Sequence, residues 1–250
     1  MPVDKFLLKV SGKMKKRLSL FILMTVLLFP ESSTAQTSPF WTEAAHHQSI
    51  YQDLHNMEGR APANEIFAHV TGILNTSPDI QNLRAILVFL SENSYTPIHP
   101  ENMNIGFFLL YSDTFFALSQ RPEEGTLFAQ DLQNALSAAL LFNVMAMSDA
   151  ARCTNTAAWP AYRANVLDIR LTRLQPAFSA FSSLSYKSLM DKAFAYDEAH
   201  LSRPVSAELC PAGQATLDPY TWYEKRSKLH EKLRAFWSKL YEDSTHIKLN

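Results

Sequence analysis

"IGFFLLYSDTFFAL", Ile105 to Leu118, and "ALSAALLFNVMAM", Ala135 to Met147, decide how this chain is read. Wound as helices, both are apolar on most faces, and such helices belong at the centre of a bundle. The segments around them must then form its outer layers. Prolines mark where those segments begin. Ser77-Pro78-Asp79, His99-Pro100-Glu101, Arg121-Pro122-Glu123, Trp159-Pro160, Gln175-Pro176 and Asp218-Pro219 each precede a helix-compatible stretch. Proline is tolerated in the first helical turn because its missing N–H has no intrahelical partner there. An acid just after it suits the positive end of the helix dipole.

The expected helices run over 40–56, 62–75, 78–93, 100–119, 122–152, 160–174, 176–200 and 219–242. "AILVFL", Ala85 to Leu90, reads as a strand in isolation. Within its longer run, Ile80, Leu83, Ile86 or Leu87, and Leu90 recur at helical spacing. The expected fold is all-α, an irregular bundle of seven or eight helices, with stacked helical hairpins as an arrangement open to it. Residues 201–218 read as a surface loop, and residues 36–250 as a single domain.

The N-terminus speaks to the compartment. Lys15, Lys16 and Arg17 precede a 12-residue apolar run, Leu18 to Phe29, which Pro30 ends. Ser33-Thr34-Ala35 then supplies small residues for a cleavage site. Residues 1–35 read as a secretory signal peptide with its start at Met14, cleaved after Ala35. A retained membrane anchor would need about 20 apolar residues. The mature chain is therefore expected in a periplasm or secreted, with no spanning helix.

Export changes the meaning of the cysteines. The chain has two, Cys153 and Cys210, and in an oxidising compartment they are expected to pair. Closing the 57-residue loop between them stabilises the fold by about 4 kcal/mol in the chain-entropy model. The sequence has no CxxC motif, so the thiol–disulfide oxidoreductase pattern is absent.

Charge divides the chain. From Gln36 to Ala150 there are three arginines, no lysine and 12 acids, a net of −9; from Ala151 to Asn250, 14 basic and 10 acidic residues give +4. No basic stripe crosses a domain, which argues against nucleic-acid binding. The two halves are expected to attract each other, or the acidic half to face a basic partner.

Four constellations carry candidate chemistry. Glu43, His47, Tyr51 and His55 share one face of an uninterrupted helix, and Glu43, His47 and His55 are weak metal-ligand candidates. Asp113 interrupts an apolar helix and needs a partner, with Arg152, Arg163 and Arg170 as candidates. Asp149 and Arg152 sit beside Cys153, and a pocket lined by Asp113, Asp149 and Arg152 is the first place to look for a site. "YDEAH", Tyr196 to His200, repeats the letters of a helicase box, but no phosphate loop accompanies it. Asp197 and His200 are instead expected at a solvated helix end.

The last helix has the clearest pattern. Trp222, Arg226, Leu229, Leu233, Phe236 and Leu240 follow 4-3-4-3-4 spacing, broadened by Tyr223, His230 and Trp237. Its apolar stripe either packs on the bundle or, through Trp222, Leu229, Leu233, Phe236 and Trp237, docks an envelope protein or touches a membrane surface. No motif calls for a cofactor. The function that follows is that of an exported, non-enzymatic binding or scaffold protein. The rival is an enzyme or metal-dependent binder at Asp113, Asp149 and Arg152 or at Glu43, His47 and His55.

Overall fold

The architecture follows from the two apolar segments. In the computed structural model they form α5 (Gly106–Ser119) and α6 (Phe128–Arg152), the most extensively packed pair in the molecule. The structure describes residues 39–249 except 59, 95–103, 122–126, 155–159, 161, 206–208 and 211–217. The expected signal peptide lies outside these residues. Phe40–Asn250 forms one compact unit.

Around the central pair stand α1 (Pro39–His46), α2 (Ser49–Met57), α3 (Ala63–Asn75) and α4 (Ile80–Ser94). After α6 come a π-helical turn (Arg163–Asp168), α7 (Ile169–Leu174), a 3-10 turn (Gln175–Ala180), α8 (Ser183–Ala199) and α9 (Pro219–Thr245). The fold is all-α, with nine α-helices among the described residues and no strand there. α6 is the hub: α5, α8, α9 and the 3-10 turn all pack on it. α4 joins α5 to α2, and α3 leans on α5. "AILVFL" lies inside α4, and all six of its residues are buried.

Two expected helices are broken. Residues 40–56 split at His47 and Gln48, where the Gln48 backbone turns extended with ψ at 137°. Tertiary hydrogen bonds accompany the break: His46 Nε2 lies 2.9 Å from Glu92 Oε1, and the Tyr51 hydroxyl donates to Glu92 Oε2 at 2.7 Å. Gln52 Nε2 caps the open end of α1 by donating to the His46 carbonyl. Residues 176–200 begin as a 3-10 turn and restart as α8 after an extended Phe181, with Ser182 accepting from the Ser185 N–H as the N-cap. At α9, Asp218 caps the Tyr220 and Thr221 N–H groups while Pro219 takes the first position, as its sequence implies.

α9 is held by its aromatics. Trp237 and Tyr241 are fully buried. Trp237 Nε1 donates to Asn143 Oδ1 on α6 at 2.8 Å, Tyr186 on α8 donates to the Trp237 carbonyl at 3.1 Å, and Tyr186 stacks on Tyr241 at 4.5 Å. The apolar stripe therefore faces the bundle. Trp222, Leu233 and Trp237 are buried, and Leu229 and Phe236 are half-buried. This corrects the docking face: burying several large side chains is worth roughly 1.5–3 kcal/mol each, and the bundle has claimed that energy. Outward, α9 presents Lys225, Lys228, Lys232 and Lys239 together with the exposed rings of Tyr220 and Tyr223. Among the described residues no helix is long and apolar enough to cross a membrane.

Candidate functional site

Polar groups gather in two places. The first is buried where α6 ends. Ser148 and Asp149 from α6, Asp197 from α8, and Arg203 from the turn beyond α8 are each at most 1 % exposed. Arg203 holds the group together. Its Nη2 lies 2.7 Å from Asp197 Oδ1 and 2.8 Å from Asp149 Oδ1, the latter an ion-pair contact without hydrogen-bond alignment. The same guanidinium donates to the carbonyls of Met145 and His200, both at 3.0 Å. Arg152 Nη1 donates to the Arg203 carbonyl at 2.8 Å, and its guanidinium lies over the Trp222 ring.

The chain that delivers Arg203 is tied down by a disulfide. Cys153 and Cys210 pair with Cα atoms 5.6 Å apart, as their number and the expected compartment implied. Cys153 is also the C-cap of α6, its N–H bonded to the Ala150 carbonyl. The staple thus fixes the end of the helix that carries Ser148 and Asp149.

Electrostatics follow from the sealing. Burial pushes the Asp149 carboxyl up to about 6, against the pull of the Arg203 charge. Burial also acts to raise Asp197, but hydrogen bonds from His230 and Ser148 and the Arg203 charge outweigh it and hold Asp197 below its ordinary value. Burial lowers His200, whose Nδ1 bonds to the Tyr196 carbonyl at 2.8 Å. Asp197 and His200, expected at a solvated helix end, are both buried. The returning turn with Arg203 covers them, and no local periodicity announces it.

Ser148, Asp197 and His230 have the composition of a nucleophilic triad but not its geometry. In a triad the carboxylate holds one ring nitrogen while the other takes the serine proton. Here Asp197 Oδ2 and Ser148 Oγ both approach His230 Nε2, at 3.0 and 3.2 Å. The serine hydroxyl donates to Asp197 at 2.7 Å, and Ser148 is fully buried. Ser148, Asp197 and His230 satisfy one another, and this trio is part of the architecture.

The second place is open. A cleft of about 380 Å³ lies between the end of α3, the turn after it, the end of α5, and α7. Asp113, Arg121, Arg170 and Arg173 line it with Leu74, Pro78, Phe116 and Ala117. Ser77 bends the wall. It closes α3 in the left-handed region, with φ at 55°, just before Pro78. Arg170 clamps Asp113: Nε lies 2.9 Å from both carboxylate oxygens and Nη2 lies 2.6 Å from Oδ2. Arg170 Nη1 donates to the Val166 carbonyl of the π-helical turn, so that turn sets the arginine's direction. Arg173 lies over the Phe116 ring, 5.6 Å from its centroid, and 3.9 Å from Asp113 Oδ1. Arg121 Nη2 donates to the Pro78 carbonyl.

The pocket expected from Asp113, Asp149 and Arg152 therefore divides. Ser112 Oγ donates to the Ala135 carbonyl, which places Asp113 beside the first half of α6. Asp149 stands fourteen residues further along that helix, roughly 21 Å at 1.5 Å per residue. Asp113 belongs to the cleft, and Asp149 and Arg152 to the buried cluster. The proposed metal face also fails to assemble. Glu43 is on α1, His47 lies in the break, and His55 on α2 pairs with Glu58 at 3.2 Å. Among the described residues no three metal-binding side chains converge.

Arg121, Arg173 and Arg203 carry no motif in the sequence. Arg121 had one signal, as one of only three basic residues between Gln36 and Ala150. Arg203 had another, as the only basic residue between Leu201 and Asp218. No family model, curated protein or solved structure matches this chain.

Proposed function

We propose that this is an exported, non-enzymatic binding protein, a rigid helical scaffold whose contact site is the cleft between α3, α5 and α7. The reading places residues 1–35 as a signal cleaved after Ala35 and the mature chain in a periplasm or outside the cell. The Cys153–Cys210 pairing fits that compartment. One observation carries the binding role. Among the described residues, Arg173 donates no hydrogen bond and Arg121 donates one, and both line the open cleft. Binding sites combine apolar walls with a few convergent polar groups, and this cleft has both. The expected α9 docking stripe is occupied by the core, so the contact surface moves to the cleft.

The test is a thermal-stability screen of the full oxidised chain against a panel of charged, neutral and peptidic small molecules. Ala117→Trp serves as the blocked control, since it adds a large ring to the cleft wall. At least one class should raise the melting temperature of the native protein and not of the variant, and be recovered unchanged after long incubation. A panel without effect, or a bound compound recovered chemically altered, would contradict the proposal.

A further inference from the structure

The geometry assigns the cleft a ligand class: a singly charged organic carboxylate, held by the guanidiniums of Arg121 and Arg173, with its apolar body against Leu74, Pro78 and Ala117. This rests on the binding reading above and deepens it.

Donor availability comes first. Arg170 is committed, with Nε and Nη2 on Asp113 and Nη1 on Val166. Arg121 gives Nη2 to the Pro78 carbonyl, which leaves its Nε and Nη1 hydrogens uncommitted among the described residues. Among the described residues Arg173 keeps all five, its ring and polar contacts there being the Phe116 face and the 3.9 Å ion pair with Asp113. Its side chain is 48 % exposed, enough to meet a ligand and yet oriented by the ring beneath it. A planar guanidinium with free, parallel N–H bonds matches a carboxylate fork.

Charge then sets the valence. Three arginines and Asp113 give the cleft a formal +2. Residues at the C-terminal ends of α3 and α5, Asn75 and Gln120 among them, also line the cleft, and a helix C-terminus carries about −0.5 charge. Roughly one positive charge remains for a ligand. Asp79 is left out of this count because it does not line the cleft; its Oδ1 caps the Asn82 N–H at the start of α4. A monoanion balances the site; a dianion overfills it. The apolar lining next to these charges favours an organic acid over a bare inorganic ion. The expected acidic surface of residues 36–150 makes this positive spot local, so the complex should weaken as salt rises.

The experiment is isothermal titration of the full oxidised chain with three probes: benzoate, its neutral analogue benzamide, and inorganic phosphate. Benzoate should bind at one site at least tenfold more tightly than either of the others. Arg173→Gln is the cleanest variant, because that side chain donates no hydrogen bond to the described protein, and it should cost benzoate about tenfold or more. Arg121→Lys keeps the charge and loses the fork; it should weaken benzoate and leave the melting temperature close to the native value. Benzamide binding as tightly as benzoate would overturn the carboxylate class, as would undiminished benzoate binding in Arg173→Gln. Tighter binding of phosphate would overturn the organic carboxylate class. If benzamide matches benzoate and Ala117→Trp removes both, the carboxylate assignment fails while the binding role of the cleft survives. If no probe binds, the assignment fails, and the panel screen decides the binding role separately.

Discussion

The two polar sites use the same pair of residue types to opposite ends. At the end of α6, Arg203 meets Asp149 and Asp197, and four further contacts close the group away from water. In the cleft, Arg170 meets Asp113, but Arg121 and Arg173 line the same opening with donors uncommitted among the described residues. An arginine–carboxylate pair alone therefore says little about role. What separates scaffold from site is whether the neighbouring donors are already engaged, because a new ligand must offer more than the partners it displaces.

The comparison can be broken most forcefully at Asp197. Asp197→Asn removes the charge facing Arg203 and the acceptor shared by Ser148 and His230. Breaking a buried ion pair costs roughly 3–5 kcal/mol, so denaturant unfolding should show a loss of that order. A loss below about 1 kcal/mol would mean the cluster is not sealed as described.

The staple comes next. Replacing both Cys153 and Cys210 with Ser should destabilise the oxidised protein by about 2–4 kcal/mol. It should also speed hydrogen exchange around Arg203, leaving the α3 and α5 walls of the cleft unchanged. Equal loosening of cleft and cluster would erase the distinction between them.

Asp149 sharpens the picture through pH. Its carboxyl is raised from 3.8 to about 6 in the folded state, so the folded protein binds a proton more tightly than the unfolded chain does. Its contribution is therefore complete below about pH 4 and is lost as pH rises through about 6. Asp149→Asn removes that dependence. The stability of the native protein relative to this variant should fall by about 3 kcal/mol at most between pH 4 and pH 7. A relative stability that rises over this interval would contradict the burial argument.

The smallest effect is expected at the cleft. Arg173→Gln should change stability by less than about 0.5 kcal/mol, since the side chain is half in solvent and makes no hydrogen bond among the described residues. A larger loss would move Arg173 from the site to the scaffold.

Much of the fold was legible because it is written in local signals. The two apolar segments mark the centre, and the Asp218–Pro219 cap opens α9 where expected. The Cys153–Cys210 pairing followed from residue count and compartment. Asp113 needed a partner, and Arg170 was among three candidates. What stayed hidden depends on residues distant in the chain. The break at His47 and Gln48 is matched by bonds to Glu92, and the extended Phe181 offers its carbonyl to Tyr241 at 3.0 Å. Asp197 read as solvated because nothing nearby foretells Arg203 coming back over it. The stripe on α9 was visible at its true spacing, but spacing does not say what covers it. Half of the candidate site was visible as Asp113. The other half, Arg121 and Arg173, is defined by donors left uncommitted among the described residues, a property of the folded molecule alone.

Arginine side-chain exchange and titration by nuclear magnetic resonance, with and without benzoate, tests this division most directly. The Arg203 Nε–H should exchange slowly and keep its position when benzoate is added. The Arg121 and Arg173 Nε–H signals should exchange fast in the free protein and shift saturably with benzoate. A saturable shift at Arg203, or slow exchange at Arg121 and Arg173 with no response to benzoate, would contradict the account.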